Sequence, residues 1–227
     1  MKKVTIIGYR GNMGRRYGSI LDYLGINWEG IEFGDLDRYP SDDTDGFIIA
    51  TPTNSHLVHL LRYSMYNKPI LVEKPVVKNR KDLDAVMGMR VPVTMVNQYA
   101  FFPEVSEGSG ETRVNYYNTG NDGILWDCIN LIGLAKEDVY LSNSSPIWQI
   151  KVNGNNLSRG MVDLSYVQML YKWTSKPTDN KQYIYDVHTR LLDHEESQSC
   201  DRYPSKKIFI EVAGKDRKAP CRESNGN

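Results

Sequence analysis

The sequence predicts an α/β protein, a Rossmann-type doubly wound parallel sheet followed by a smaller α+β domain. Three observations predict it. The chain opens on an apolar, β-branched run, Val4-Thr5-Ile6-Ile7, that breaks into Gly8, Gly11 and Gly14 and then into a helical pattern. Strand-like and helix-like segments alternate at an even rhythm as far as residue 102. Beyond that point the composition changes, and short strands mix with two long helical patterns.

The first strand, ending at Ile7, has the continuous apolar character of a strand buried on both faces. Gly8 ends it, and Met13 to Leu24 reads as the first helix. Trp28 to Phe33 reads as the second strand, running into Gly34-Asp35-Leu36-Asp37, and Ser41 to Asp45 as an acidic loop. Gly46 to Ala50 is the third strand. Pro52 stops it, and Thr53 or Asn54 is placed to cap the next helix. In that helix Leu57, Leu60, Leu61 and Met65 recur at helical spacing and predict one apolar face. Pro69 to Val72 forms a fourth strand that leads into Glu73-Lys74-Pro75. Asn79 caps a helix from Arg80 to about Met89, with Asp82 at the capping-box position, and Val91 to Val96 gives the fifth strand.

The polar, glycine-bearing stretch from Pro103 to Gly110 marks a boundary. The expected division is a dinucleotide-binding domain over 1–102, a reduced α+β substrate or oligomerisation domain over 103–213, and a frayed polar tail over 214–227. Within the second domain a strand is expected over Thr112 to Tyr117, a helix from near Asp122, and strands near Val139 and Trp148. Asn153-Gly154 signals a hairpin turn. Helices follow over about Arg159 to Trp173 and Asn180 to Leu192, and Ile208 to Ile210 adds a last strand.

Composition narrows the function. The 227 residues carry 28 Lys+Arg against 28 Asp+Glu, so there is no electrostatic footprint for nucleic acid or an anionic membrane. No apolar run approaches the roughly 20 residues that span a bilayer. The sequence enters a strand at once, with no secretory signal pattern, and its three widely spaced cysteines, Cys128, Cys200 and Cys221, suit reduced thiols rather than a disulfide framework or a metal site. The expectation is a cytoplasmic protein with a small-molecule substrate, in which a homo-oligomer remains open.

The glycines carry the chemistry. In a strand–turn–helix unit one glycine permits the tight turn, one lets main chain approach a pyrophosphate, and one lets helix pack on strand. The phosphates then lie on the unpaired N–H groups and positive end of the helix. The spacing here is G-x-x-G-x-x-G, one residue longer in the first gap than the common fingerprint, with Tyr9, Arg10, Asn12 and Met13 in the same turn. An acid about 20 residues further on holds a ribose hydroxyl, which points to Asp35 with Asp37 in reserve and favours NAD. Arg38 is close enough to pair with a 2′-phosphate, which keeps NADP open. Gly8, Thr51, Pro52, Glu73, Lys74 and Pro75 all fall at strand ends, where open α/β sheets bind ligands. Of these, Lys74 is the candidate to take a proton from a bound ligand or to polarise its oxygen.

Taken together, the glycine turn, TPTNSH, the EKP triplet and a small α+β domain after the fifth strand resemble the glucose–fructose oxidoreductase / inositol dehydrogenase (Gfo/Idh/MocA) family. The most specific stretch is TPTNSHLVHLLRYSMYNKPILVEKP, which is similar to that family's T-P-x-x-x-H and G-K-x-V-x-x-E-K-P strand ends, with Asn67 for the glycine. The resemblance covers residues 1–102 and thins thereafter. It implies an NAD(P)-dependent oxidoreductase that moves hydride to or from a sugar, polyol or related hydroxy/carbonyl compound, with Lys74 beside nicotinamide and substrate. It also implies that Glu73 orients the lysine or binds the nicotinamide ribose, with a structural strand-end acid as the alternative, and that His56 caps its helix or packs against the cofactor. The family's second domain usually carries D-x-G-x-H-x-x-D, whose His is the acid/base. The corresponding stretch is Gly123 to Gly133: Asp127 aligns with the first acid, Asn130 falls where the His should be, and Gly133 falls where the second Asp should be. Asn does not titrate. Either Lys74 does that work alone or with Tyr99 or Asp127, or the chain is a catalytically lapsed dinucleotide-binding sensor or accessory protein. The glycine spacing is also similar to that of dihydrodipicolinate reductases, which gives an imine reductase as a further alternative. His59, one turn later, is expected on the surface, and no role follows for His188 or His194.

Overall fold

The computed structural model describes residues 1–35, 37–102, 105, 107–115, 126–142, 149–157, 159–196 and 208–211. The helix start at Asp122, the strand at Trp148, the link residues Pro103, Glu104 and Ser106, the thiols Cys200 and Cys221, and the tail 214–227 lie outside the described residues.

Five strands form the first sheet: β1 (Lys3–Ile7), β2 (Asn27–Ile31), β3 (Gly46–Ile49), β4 (Ile70–Val72) and β5 (Val93–Met95). All pair in parallel, in the order β2-β1-β3-β4-β5. The crossovers are α1 (Asn12–Tyr23), α2 (His56–Ser64) and α3 (Arg80–Met87). Because successive strand residues point to opposite faces, Ile6, Ile48 and Leu71 join one buried cluster, and Ile7, Phe47, Ile49, Ile70 and Val72 join the other. Both faces are therefore covered, as the unbroken apolar runs require.

α1 covers the first face with Tyr17, Ile20 and Leu21, at helical spacing. It does not do so alone. Two long helices from the far half of the chain, separated from α3 by the short α4 (Ile129–Leu134), complete both faces. α5 (Arg159–Ser175) adds Tyr166, Met169, Leu170 and Trp173 to the α1 side. α6 (Lys181–Glu196) lays Ile184, Val187, Leu191 and Leu192 into the cluster under α3 and β5.

The second sheet is mixed. It holds β6 (Thr112–Asn115), β7 (Val139–Ser142), β8 (Gln149–Val152), β9 (Asn155–Leu157) and β10 (Ile208–Glu211) in the order β10-β7-β6-β8-β9. β6 pairs in parallel with β7 across α4 and antiparallel with β8. Between β8 and β9, Asn153 and Gly154 both take positive φ (48° and 85°), as the mirror-image hairpin turn demands. Apolar side chains of this sheet, Val114, Val139, Leu141, Ile150 and Val152, belong to the same buried cluster as α6.

Asn79 caps α3 as expected: its Oδ1 accepts from Asp82 N (2.9 Å) and its Nδ2 donates to the Asp82 carboxylate (2.8 Å). Elsewhere the sequence expectation is corrected. Neither Thr53 nor Asn54 caps α2; both lie in a 3-10 turn, Thr53–Ser55, that precedes it. The buried face of α2 is His56, His59, Leu60 and Tyr63, while Leu61 and Met65 face outward. Aromatic packing decides this, because Tyr63 lies against Phe47 on β3 (ring centroids 4.9 Å) and His59 stacks on Tyr63 (6.1 Å). β2 ends at Ile31, two residues short of the expected Phe33. Among the described residues no helix is long and apolar enough to cross a membrane.

Candidate functional site

The parallel ladder brings four strand ends into one line. Ala50 N donates to Ile7 O (2.9 Å), Glu73 N to Ile49 O (3.0 Å) and Val96 N to Val72 O (2.9 Å). Gly8, Thr51, Glu73 and Asn97 therefore begin loops that leave the sheet side by side, with the order reversing between β1 and β3. Such a switch point is where an open α/β sheet has a crevice.

The glycine turn is built to be narrow. Gly8 takes φ +80°, and a Cβ there would lie 2.9 Å from Ala50 O. At Gly14 a Cβ would lie 2.3 Å from Gly8 O and 2.6 Å from Tyr9 Cα, so α1 packs directly on the main chain of the turn. Gly8 N donates to Ile31 O (2.8 Å) and Gly11 N to Gly8 O (3.1 Å), which ties the turn to β2 and to itself. Gly11 is the N-cap of α1 and brings no side chain to the first helical amides, and no acid lies in the first turn. The N–H groups of Asn12, Met13 and Gly14 thus keep the unpaired character of a helix start, which suits an anion.

Around this turn the other residues take distinct places. Tyr9 folds over Gly30 of β2, with Arg10 stacked on its ring (5.4 Å) and Arg10 Nε donating to Tyr9 Oη (3.0 Å). Asn12 is exposed and accepts from Arg15 Nη2 (3.1 Å), while Met13 packs into the α1 cluster. Asp35 and Arg38 are exposed loop residues; Asp35 N donates to Glu32 O (3.1 Å), and Arg38 O accepts from Arg62.

The residue directly beyond β2 is Glu32, to which the sequence reading gave no role. Its Oε1 accepts from Phe33 N (3.1 Å). Its Oε2 is buried without a hydrogen-bond partner, 3.8 Å from Arg10 Nε. A carboxylate oxygen that is ion-paired but accepts no hydrogen bond, beside the glycine turn, could receive a ribose hydroxyl, as could Asp35 three residues further out.

On the other side of the crevice, Thr51 is buried, its Oγ1 accepting from Ser55 Oγ (2.9 Å), while Pro52 is exposed at the lip. His56 is fully buried. Its Nε2 lies 2.8 Å from Thr51 O and its Nδ1 2.9 Å from Pro75 O, so it ties the loop after β3 to the loop after β4. Burial pushes its pKa down, against the pull of the two carbonyls, which can both accept at once only from the doubly protonated ring. His56 therefore shapes the crevice without lining it.

Glu73 is buried and turned toward α1, where Tyr17 Oη donates to its Oε1; its Oε2 accepts from Lys74 N (3.1 Å). Burial first, and then the adjacent Glu73 charge, hold the Tyr17 hydroxyl well above its usual pKa, so Tyr17 is a standing donor. Lys74–Pro75 is cis. Lys74 Nζ reaches across to the second half and donates to Asp127 O (3.0 Å), at the start of α4. Cys128 is the next residue; burial pushes its thiol up to about 12, despite the nearby Lys74, so it is inert.

Asn130 is also brought here. It is buried, its Nδ2 donates to Val96 O (2.8 Å), and its Oδ1 has no hydrogen-bond partner. Gly133 is explained by packing: a Cβ there would lie 2.4 Å from Tyr183 Oη and 2.7 Å from Val187 Cγ2 of α6. Tyr183 fills that space, and its hydroxyl accepts from Asn97 Nδ2 (2.9 Å). Lys74, Asp127 and Asn130 thus gather at the ends of β4 and β5.

Comparison with known proteins gives a fold and not a family. No protein-family model and no curated protein sequence matches this chain. Solved structures do match in fold. The WlbA (WbpB) dehydrogenase from Thermus thermophilus, solved with NAD and UDP-GlcNAcA, superposes with a TM-score of 0.67 at 12% identity, over 91% of this chain and 99% of that one. GenD2 from gentamicin A biosynthesis, solved with NAD, gives 0.65 at 12% identity over 87% and 94%. Scyllo-inositol dehydrogenase from Lactobacillus casei, solved with NAD(H) and scyllo-inositol, gives 0.58 at 10% identity over 87% and 96%. Such low identities establish the shared architecture alone.

Proposed function

We propose that this chain is an NAD-dependent oxidoreductase acting on a sugar, polyol or related hydroxy/carbonyl compound. The observation that carries the reading is one juxtaposition: an uncapped helix start behind a glycine turn at β1, and a lysine at β4 that reaches Asp127 over the same crevice. The fold neighbours solved with NAD support it.

In this reading residues 1–102 hold the dinucleotide and the stretch 103–213 closes the substrate side. The amides of Asn12, Met13 and Gly14 receive the pyrophosphate, Glu32 receives the adenosine ribose, and half-exposed Phe33 offers its ring face to the base. A carboxylate at that point repels a 2′-phosphate, which favours NAD over NADP. A nicotinamide dinucleotide, when bound, supplies the hydride acceptor or donor. Lys74 Nζ hydrogen-bonds the substrate oxygen and exchanges its proton, giving up its bond to Asp127 O to do so. Tyr17 and Glu73 fix the main chain from which Lys74 extends. Asn130 can hydrogen-bond a substrate oxygen and cannot relay a proton.

The test is a fluorescence titration with NADH and NADPH, followed by a sugar and polyol screen of wild type and Lys74→Ala. The expected result is tighter binding of NADH, turnover of at least one substrate, and a Lys74→Ala variant that binds NADH and does not turn over. Failure to bind either cofactor removes the reading. Asn130, anchored on Val96 O and without a titrating group, favours a second reading, a dinucleotide-binding protein without turnover. Tight NADH binding with no turnover across the screen would select it.

A further inference from the structure

Two buried histidines hold the two ends of a single peptide unit, the one directly after Lys74-Pro75. The Pro75 carbonyl faces His56 Nδ1 of α2 at 2.9 Å. The Val76 N–H donates to His188 Nε2 of α6 at 3.1 Å. His188 is completely buried, and its Nδ1 donates to Ile184 O one turn earlier (2.8 Å). That bond fixes the tautomer, leaving Nε2 unprotonated and aimed at the Val76 amide. The Trp126 ring lies beside it, with centroids 6.0 Å apart.

We propose that His188 is the positioning residue for Lys74, acting with His56 as a clamp on the Pro75–Val76 peptide. The inference rests on the oxidoreductase reading only in taking Lys74 as the reacting group. On the upstream side, Lys74 is fixed by Glu73 N on Ile49 O and by its own amide on Glu73 Oε2. Pro75 has no N–H to offer downstream, so the next anchors are the Pro75 carbonyl and the Val76 amide. The two histidines take one each. The same face of α6 also carries Tyr183, which packs into the gap at Gly133 and accepts from Asn97. One helix from the far half of the chain therefore sets the lysine and, through α4, the Asn130 opposite it. A buried histidine that merely filled space would need no defined tautomer and no main-chain donor. Here both nitrogens are committed, one to its own helix and one to the catalytic loop.

The test uses the full chain with His188→Met, which fills a similar volume without an acceptor, and His188→Gln, whose amide oxygen can replace Nε2. In wild type the ring nitrogen chemical shifts should report Nδ1–H with Nε2 unprotonated; the opposite tautomer overturns the proposal without any variant. In His188→Met, NADH affinity should stay within about twofold of wild type, because α1 and its turn are untouched. Exchange of the Val76 amide should rise about tenfold relative to the β4 amides. Labelling of Lys74 by trinitrobenzenesulfonate should change rate, and kcat should fall on the order of 100-fold at an unchanged substrate KM. His188→Gln should restore all three. Unchanged Val76 exchange and kcat in His188→Met would sink the idea, and so would a loosening of β4 together with loss of NADH binding. If wild type binds NADH and turns nothing over, the functional reading fails while exchange and labelling still decide the clamp.

Discussion

Replacing Gly14 with alanine sets two effects against each other. Gly14 lies in the first turn of α1, where helix propensity alone favours alanine by about 1 kcal/mol. Against that, the new Cβ would sit 2.3 Å from Gly8 O, 2.6 Å from Tyr9 Cα and 2.9 Å from Gly8 C. All three are main-chain atoms, and the turn that bears them is tied by Gly8 N to Ile31 O and by Gly11 N to Gly8 O. Overpacking into a neighbour that can yield costs about 1–3 kcal/mol, and this one cannot yield without breaking those bonds. The steric side wins, with a net loss of about 2 kcal/mol or more after propensity is credited. For a chain of this length that lowers Tm by about 4–8 °C. Gly88→Ala is the control. It ends α3 at φ −73°, where a Cβ meets nothing nearer than Ala85 O at 3.6 Å. The alanine should stabilise by about 0.4–1 kcal/mol through the unfolded chain. Thermal melts and urea midpoints of the two variants, with an NADH titration of each, measure the outcome. A Gly14→Ala protein that melts at or above wild type and still binds NADH would refute both the steric argument and the role given to the turn.

Three further outcomes are expected. Glu32→Gln should weaken NADH binding roughly tenfold and narrow the preference over NADPH, because a neutral amide makes a weaker bond to a ribose hydroxyl and no longer repels a 2′-phosphate; an unchanged preference would return the role to Asp35. Tyr17→Phe leaves the buried Glu73 Oε1 without its hydroxyl donor and should lower stability by about 1–3 kcal/mol, read as a urea midpoint shift; no shift would mean that water replaces the hydroxyl. Burial holds His188 at about 4, against about 6.5 in the unfolded chain. Since the folded value is depressed, its contribution is complete above pH 6.5 and is lost as pH falls toward 4, by about 3 kcal/mol in all. Comparing wild type with His188→Gln at pH 7 and pH 4.5 isolates that loss, and identical pH dependence in the two would contradict it.

What the sequence made legible were features with a local cause. Gly8, Asn79 and Asn153-Gly154 each answer a main-chain demand made within three residues, and each stands where its chemistry required. The buried face of α2 was not legible, because Leu61 and Met65 are as apolar as Leu60. The choice of His59 and Tyr63 depends on Phe47 from a different strand. The end of β2 was misplaced because Phe33 reads as strand material. His188 offered no signal at all: its partner is an amide 112 positions away, and nothing in the residues around it says so. The place of Lys74 just beyond β4, by contrast, was legible from its motif, while its reach to Asp127 O required the second half of the chain to be in place.

The cover of the first sheet by α5 and α6 bears on how the chain comes to be folded during its synthesis. The last strand of that sheet is complete at Met95, yet Trp173 on one face and Leu191 on the other leave the ribosome much later. Until then Ile48 and Leu71 on one side, and Val93 and Met95 on the other, lack part of their apolar cover. A nascent chain arrested near residue 102 should therefore be sticky and sensitive to proteases, and the same segment excised or grafted onto another protein should not hold its shape. The first half of the chain is in this sense not a transplantable module, and moving it to another protein would require α5 and α6 to travel with it.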